Sequence, residues 1–210
     1  MVGPIAAVGA EDSAAADLVG AVSAAEAAGA AAVVVSAAEV PPGAGEIMTL
    51  KRVLRHLMTP GWALRRAFDA AALDAIEKAI AAAERTHGGE IRFAIEAQLS
   101  PMEVFRGIAP RERAVEAFAQ LGVWDTDENN GVLLYVLWAD HDVEIVADRG
   151  FNGRVSAQEW EDVCHRMESL FAQGQAVDAV ITGIEAVSML IARHYPAVDR
   201  NELSNRPVVL

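Results

Sequence analysis

Residues 124–151, WDTDENNGVLLYVLWADHDVEIVADRGF, constrain this chain more than any other stretch. Residues 132–138 form an apolar run that is too short for an ordinary helix and rich in strand formers. Residues 139–142, Ala-Asp-His-Asp, are a turn signal, and residues 143–147 make a return strand. Folding about Asp140 and His141 places Gly131 roughly opposite Gly150. The acidic loop at 125–130 then meets Asp148, Arg149 and Gly150 at one end of a buried hairpin.

The rest of the chain supplies layers for that hairpin. Asp69 is an N-cap for a helix whose buried face is Leu73, Ile76, Ile80 and Ala83, ended by His87-Gly88-Gly89. Residues 90–99, EIRFAIEAQL, alternate as a first strand. A second helix runs from Pro110 to about Leu121. After the hairpin, Ser156 and Glu159 form a capping box for a helix with the stripe Trp160, Val163, Cys164, Met167, Leu170, Phe171. Residues 176–194 make a last helix. The order helix, strand, helix, strand, strand, helix, helix predicts a parallel crossover plus an antiparallel return. That is an α/β, three-layer α/β/α sandwich with a small mixed sheet built on a central hairpin.

The flanks read differently. Residues 1–47 contain no aromatic residue, Lys or Arg and are dominated by alanine, which predicts a poorly ordered extension, with Met48 resembling an ordinary start. Residues 48–67 are a basic lead-in segment whose helix is ended by Pro60-Gly61. Leu50, Val53, Leu54 and Leu57 recur at helical spacing, with Lys51, Arg52, Arg55 and His56 on the other face. Packing on the domain is the simpler expectation; peripheral contact of residues 49–66 with anionic lipid or an acidic partner is the sharper one. The compact domain is expected over 68–194, and residues 195–210 as a polar, loop-like tail.

Composition narrows the function classes. A net charge of −13 argues against a nucleic-acid partner held by phosphate contacts. The single cysteine, Cys164, has no internal disulfide partner, and no apolar run reaches the length of a membrane span. The first 46 residues lack the basic stretch of a signal peptide, so a cytoplasmic location is expected.

If the first two strands are parallel, one sheet end collects Glu90, Asp125, Asp127, Asn129, Asn130 and Asp148, with Gly131 and Gly150 beside them and Arg92 and Arg149 as countercharges. Hard oxygen ligands of this kind suit Ca²⁺ or Mg²⁺, and Asp125-x-Asp127-x-Asn129 has spacing that turns alternate side chains to one ion. It is not an EF-hand: Asn130 and Val136 stand where that loop needs Gly and Glu. The expected metal ligands are Asp125, Asp127, Asn129, Asp148 and Glu90. The same residues serve equally as turn and cap formers without any ligand. No Gly-x-Ser-x-Gly, HExxH or phosphate-cradling glycine loop occurs, and no catalytic residue is identified.

The loop Asp125-Thr-Asp-Glu-Asn-Asn-Gly-Val-Leu-Leu134, the return Val143-Glu-Ile-Val-Ala-Asp-Arg-Gly150 and the paired C-terminal helices resemble the TPM domain family. That family is named for a thylakoid-lumen protein, a photosystem II repair protein and a modulator of acetylcholine receptors. The likeness covers about residues 68–194 and is closest to short proteobacterial members with Gly-Glu-Ile-Arg-Phe at the first strand and Trp-Asp-Thr before the loop. It implies an α/β/α sandwich and an accessory domain with a protein partner and a divalent cation at the acidic loop. The alternative it implies is a phosphatase-like hydrolase of phosphate esters using the same loop.

Overall fold

The structure, a computed structural model, describes residues 33–36, 45–197 and 201–210. The predicted hairpin is its centre. The apolar run becomes β3 (Gly131–Leu137), buried along its whole length, and the return strand is β4 (Asp142–Ala147). The first predicted strand, β2 (Glu90–Glu96), lies parallel to β3, so the crossover has the expected sense. Two edge strands complete a sheet of order β1-β4-β3-β2-β5: β1 (Val33–Ser36) antiparallel to β4, and β5 (Val208–Val209) parallel to β2.

Side chains alternate along the strands, and so the sheet has two apolar faces. Ile91, Phe93, Ile95, Val132, Leu134, Val136, Val143 and Ile145 point to one face. There they meet α3 (Ala70–Ala83), α6 (Ala157–Ala172) and α7 (Ala176–Ala192). Ala94, Leu133, Tyr135, Leu137 and Val146 point to the other, covered by α4 (Pro101–Phe105) through Val104 and by α5 (Pro110–Gln120) through Ala114, Ala117 and Phe118. The molecule is therefore the predicted three-layer sandwich. Local signals start its helices as expected. Asp69 accepts from the N–H of Ala72 at 2.8 Å, and Ser156 and Glu159 form the capping box of α6. The stripe Trp160, Val163, Cys164, Met167, Phe171 is buried.

Four details differ from the sequence expectations. Residues 97–99 are not strand, and Ser100 caps α4 in a capping box with Glu103. Val33–Ser36, expected in an unpacked extension, pair with residues 144–147 of β4; the remaining residues of 1–32 and 37–44 lie outside the described residues. The polar tail is not simply a loop. β2 would otherwise carry a row of unpaired backbone groups on its outer side, and Val208–Val209 fill part of it, with the N–H of Leu210 donating to Ile95 at 2.9 Å.

The lead-in segment differs most. It forms α1 (Gly45–Met58) and α2 (Gly61–Ala67), separated at Pro60. Both helices pack on the domain, α2 through the buried Leu64 but α1 through its polar face. Arg52 reaches Asp140 at 2.8 Å and the carbonyl of Ile108 at 2.8 Å; the His56 ring lies between Asp140 at 3.1 Å and the N–H of Leu99 at 2.9 Å. The Asp140 carboxylate at the hairpin turn and the Ile108 carbonyl need donors and the Leu99 N–H needs an acceptor, none of which Leu side chains supply. The expected inward residues Leu50, Leu54 and Leu57 consequently face out, and only Val53 packs against the domain.

Candidate functional site

The start of β2, the start of β3 and the end of β4 meet at one end of the sheet. Glu90 pairs with Gly131, and the N–H of Asp148 donates to the carbonyl of Gly131 at 2.9 Å. The N–H of Gly150 donates to Asn129 at 2.9 Å, and that of Glu90 to Asn130 at 3.2 Å. Gly131 thus faces Asp148 rather than Gly150. The hairpin turns through residues 138–141, with His141 at φ 56°, so Leu137 pairs with Asp142. Relative to the expectation this register is shifted by an even number of residues, which leaves every side chain on its expected face.

The two glycines serve close approach, not unusual torsion. A Cβ on Gly131 would run into the carbonyl of Val123, and one on Gly150 into the carbonyl of Asn129 and the hydroxyl of Tyr195. The positive φ of this loop, 54°, belongs to Asn129.

The polar groups then divide into committed and uncommitted. Glu90 is buried, and its two carboxylate oxygens accept from the N–H groups of Glu202 and Leu203, each at 3.1 Å. Arg92 donates to the carbonyl of Ser204. Both expected site residues therefore hold the C-terminal segment. Asn130 is 3% exposed; it donates from Nδ2 to Gly88 at 2.6 Å, while its Oδ1 is buried without a hydrogen-bond partner. Asp148 is 1% exposed; its Oδ1 accepts from the N–H of Arg149 at 2.6 Å, and its Oδ2 is likewise buried and unpartnered. Burial pushes the Asp148 carboxyl up from its ordinary value, against the opposing effect of the Arg149 N–H and charge. Asp125, Asp127 and Arg149 are exposed, and Asn129 is half-buried. Among the described residues, no group of three or more His, Cys, Asp or Glu side chains is arranged to hold a metal ion. The backbone register brings the expected ligands to one sheet end, yet it does not converge their carboxylates.

Sequence reasoning missed several residues here. A shallow cleft of about 220 Å³ adjoins the site, with Glu84, Arg85, His87, Glu90, Asn201 and Asn205 on its walls. Glu84 accepts from the N–H of Ile91 at 2.9 Å and from the side chain of Asn205. Burial, with the charge of Glu90 adding to it, pushes its carboxyl up to about 8, although the Ile91 N–H pulls the other way. His87 is buried, accepts from the N–H of Gly89, and is lowered below its ordinary value by desolvation. Glu202 accepts from the N–H of Asp127 at 2.9 Å, tying the tail to the acidic loop. The signal for these contacts was the polar run 201–206, Asn-Glu-Leu-Ser-Asn-Arg. Cys164 is buried in the α6 stripe, and desolvation pushes its thiol far above its ordinary value, so it is no ready nucleophile.

Comparison with known proteins agrees with this architecture. The family model described as TPM domain matches residues 65–190. The NMR structure of the BA42 protein from the psychrophilic bacterium Bizionia argentinensis is similar to this chain, at 31% sequence identity and a TM-score of 0.60, over 67% of this chain and 94% of that one. No curated protein matches. The matched segment spans the sandwich from α2 to α7, includes the Asn129-Asn130-Gly131 loop and the Asp148-Arg149-Gly150 return, and covers more than half of the sequence; this chain belongs to the TPM domain family.

Proposed function

We propose that this chain is a non-catalytic accessory domain that takes a divalent cation, Ca²⁺ or Mg²⁺, at the sheet end and acts through a protein partner. The observation that carries the reading is the pair of buried oxygens without hydrogen-bond partners, Asp148 Oδ2 and Asn130 Oδ1, beside an acidic loop. Buried acceptors left without donors are costly, and a hard cation satisfies such oxygens. The fit is narrower than the sequence pattern. Glu90 is used by the tail, and Asp125 and Asp127 stand at the surface, so Asp148 and Asn130 are the protein side chains that would hold the ion. Few protein ligands mean a weak site, with water filling the rest of the ion's coordination.

The test is calorimetric titration of the full chain with Ca²⁺ and with Mg²⁺, repeated on Asp148→Asn. Saturable binding that the variant loses supports the reading; absence of binding heat together with an unchanged melting temperature at millimolar cation overturns it.

One feature favours the phosphate-ester hydrolase instead. Glu84 lines the cleft, and burial pushes its carboxyl up to about 8, which suits a general acid. A panel of phosphomonoesters decides between the two: turnover that Glu84→Gln abolishes would assign the chain to the hydrolases.

A further inference from the structure

The inverted docking of α1 leaves an apolar stripe with no cover among the described residues. Leu50, Leu54, Leu57 and Met58 on α1 and Trp62 on α2 are between 55% and 72% exposed. Single exposed apolar side chains are ordinary, but these recur one turn apart along one helix and continue past Pro60. The stripe is held outward by the other side of the same helix, where Arg52 and His56 are fixed on Asp140. Lys51, Arg65 and Arg66 are exposed along the same two helices, as is Arg55, which also reaches Asp140 at 3.5 Å, and no Asp or Glu occurs between residues 47 and 68. In a chain of net charge −13 this is a local reversal of sign.

We infer that the α1–α2 face is a docking surface for an anionic lipid bilayer. An interfacial helix buries Leu and Trp at the boundary of headgroups and acyl chains and keeps Lys and Arg at the anionic headgroups. The chain as a whole is net acidic, so this basic stretch is the part that such a surface attracts. A second copy of the chain fits less well: a two-fold contact would set Lys51, Arg55, Arg65 and Arg66 against their own counterparts. Among the described residues no helix is long and apolar enough to cross the membrane, so the contact is peripheral.

Sedimentation of the full chain with vesicles tests this. Phosphatidylcholine vesicles containing phosphatidylglycerol should bind it, pure phosphatidylcholine should bind it at least about tenfold more weakly, and added salt should release it. The double variant Leu54→Asp/Leu57→Asp should lose binding, and Arg65→Glu/Arg66→Glu should weaken it by about tenfold or more. All four side chains are exposed, so both variants should keep the wild-type melting temperature. No binding to anionic vesicles overturns the inference, as does equal binding to neutral ones. A dimer in solution that Leu54→Asp disrupts, without vesicle binding, would overturn it in favour of a second copy. Binding to poly-glutamate in place of vesicles would overturn it in favour of an acidic polypeptide.

Discussion

The N–H of Asp148 donates to the carbonyl of Gly131 at 2.9 Å, and this one bond seats a carboxylate under the acidic loop. The backbone there is fixed by the strand register, and the Asp148 side chain is 1% exposed. Its carboxyl is raised by burial. An acid raised in the folded state binds more protons folded than unfolded, so it costs stability as pH rises from 3.8 through its folded value. Without added cation, Asp148→Asn should therefore melt at a higher temperature than wild type at neutral pH. With saturating cation the order should reverse, because a ligand at about 100 times its Kd adds about 2.7 kcal/mol to the wild type alone. Thermal melts of both proteins with and without cation check both arms.

Glu84 gives the same sign over a stated window. Its carboxyl titrates at about 4.5 unfolded and about 8 folded, with burial as the main cause. Folding stability should fall as pH rises between those two values, and Glu84→Gln should flatten that slope. Urea unfolding at pH steps across the window measures it. A wild-type stability that rises over the same steps would show that Glu84 is already ionised in the fold.

The centre of this fold was legible in the sequence because its signals are local. The unbroken apolar run of β3, the Asp69 cap, the Ser156–Glu159 box and the α6 stripe each lie within one element. The edge strands were not, since four residues at 33–36 and two at 208–209 become strands only through distant partners. The lead-in helix shows a subtler limit. Helical spacing reveals that Leu50, Leu54 and Leu57 share a face, but not which face docks; that was decided by Asp140, 88 residues from Arg52 in the chain. At the site, the strand order correctly brought Glu90, Asn130 and Asp148 together. Charge counting could not foresee that the tail would occupy Glu90.

Phe171 tests the sandwich itself. It is 9% exposed, and its ring meets Trp138 edge-on at 6.1 Å, closing the end of α6 over the hairpin turn. Phe171→Ala should cost about 3–4 kcal/mol by combining lost burial with a cavity that the flanking rings cannot fill. Denaturant unfolding with an unchanged slope measures the loss; a near-neutral result would mean that the C-terminal turn of α6 is not packed on the sheet.

Asp140 tests how α1 is held. It accepts from Arg52 Nε at 2.9 Å, lies 3.1 Å from His56 Nε2, and has Arg55 at 3.5 Å. Burial alone would raise its carboxyl, but the bonds from His56 and Arg52 outweigh that and bring it down to about 2. A carboxyl lowered in the fold contributes stability that is complete above its unfolded value of 3.8 and lost as pH falls towards about 2. Asp140→Ala should therefore remove about 1.5–3 kcal/mol at neutral pH, the worth of hydrogen bonds to a charged group, and the difference from wild type should shrink on acidification. The local consequence separates this from a general loss of packing. Arg52 and His56 would be left without their carboxylate, so hydrogen exchange in α1 should accelerate in the variant, whereas exchange in β3 follows only the change in global stability. If exchange in α1 is unaffected, the helix is held by Val53 and by the bonds to Ile108 and Leu99 alone, and the cluster at the hairpin turn is not what orients the outward stripe.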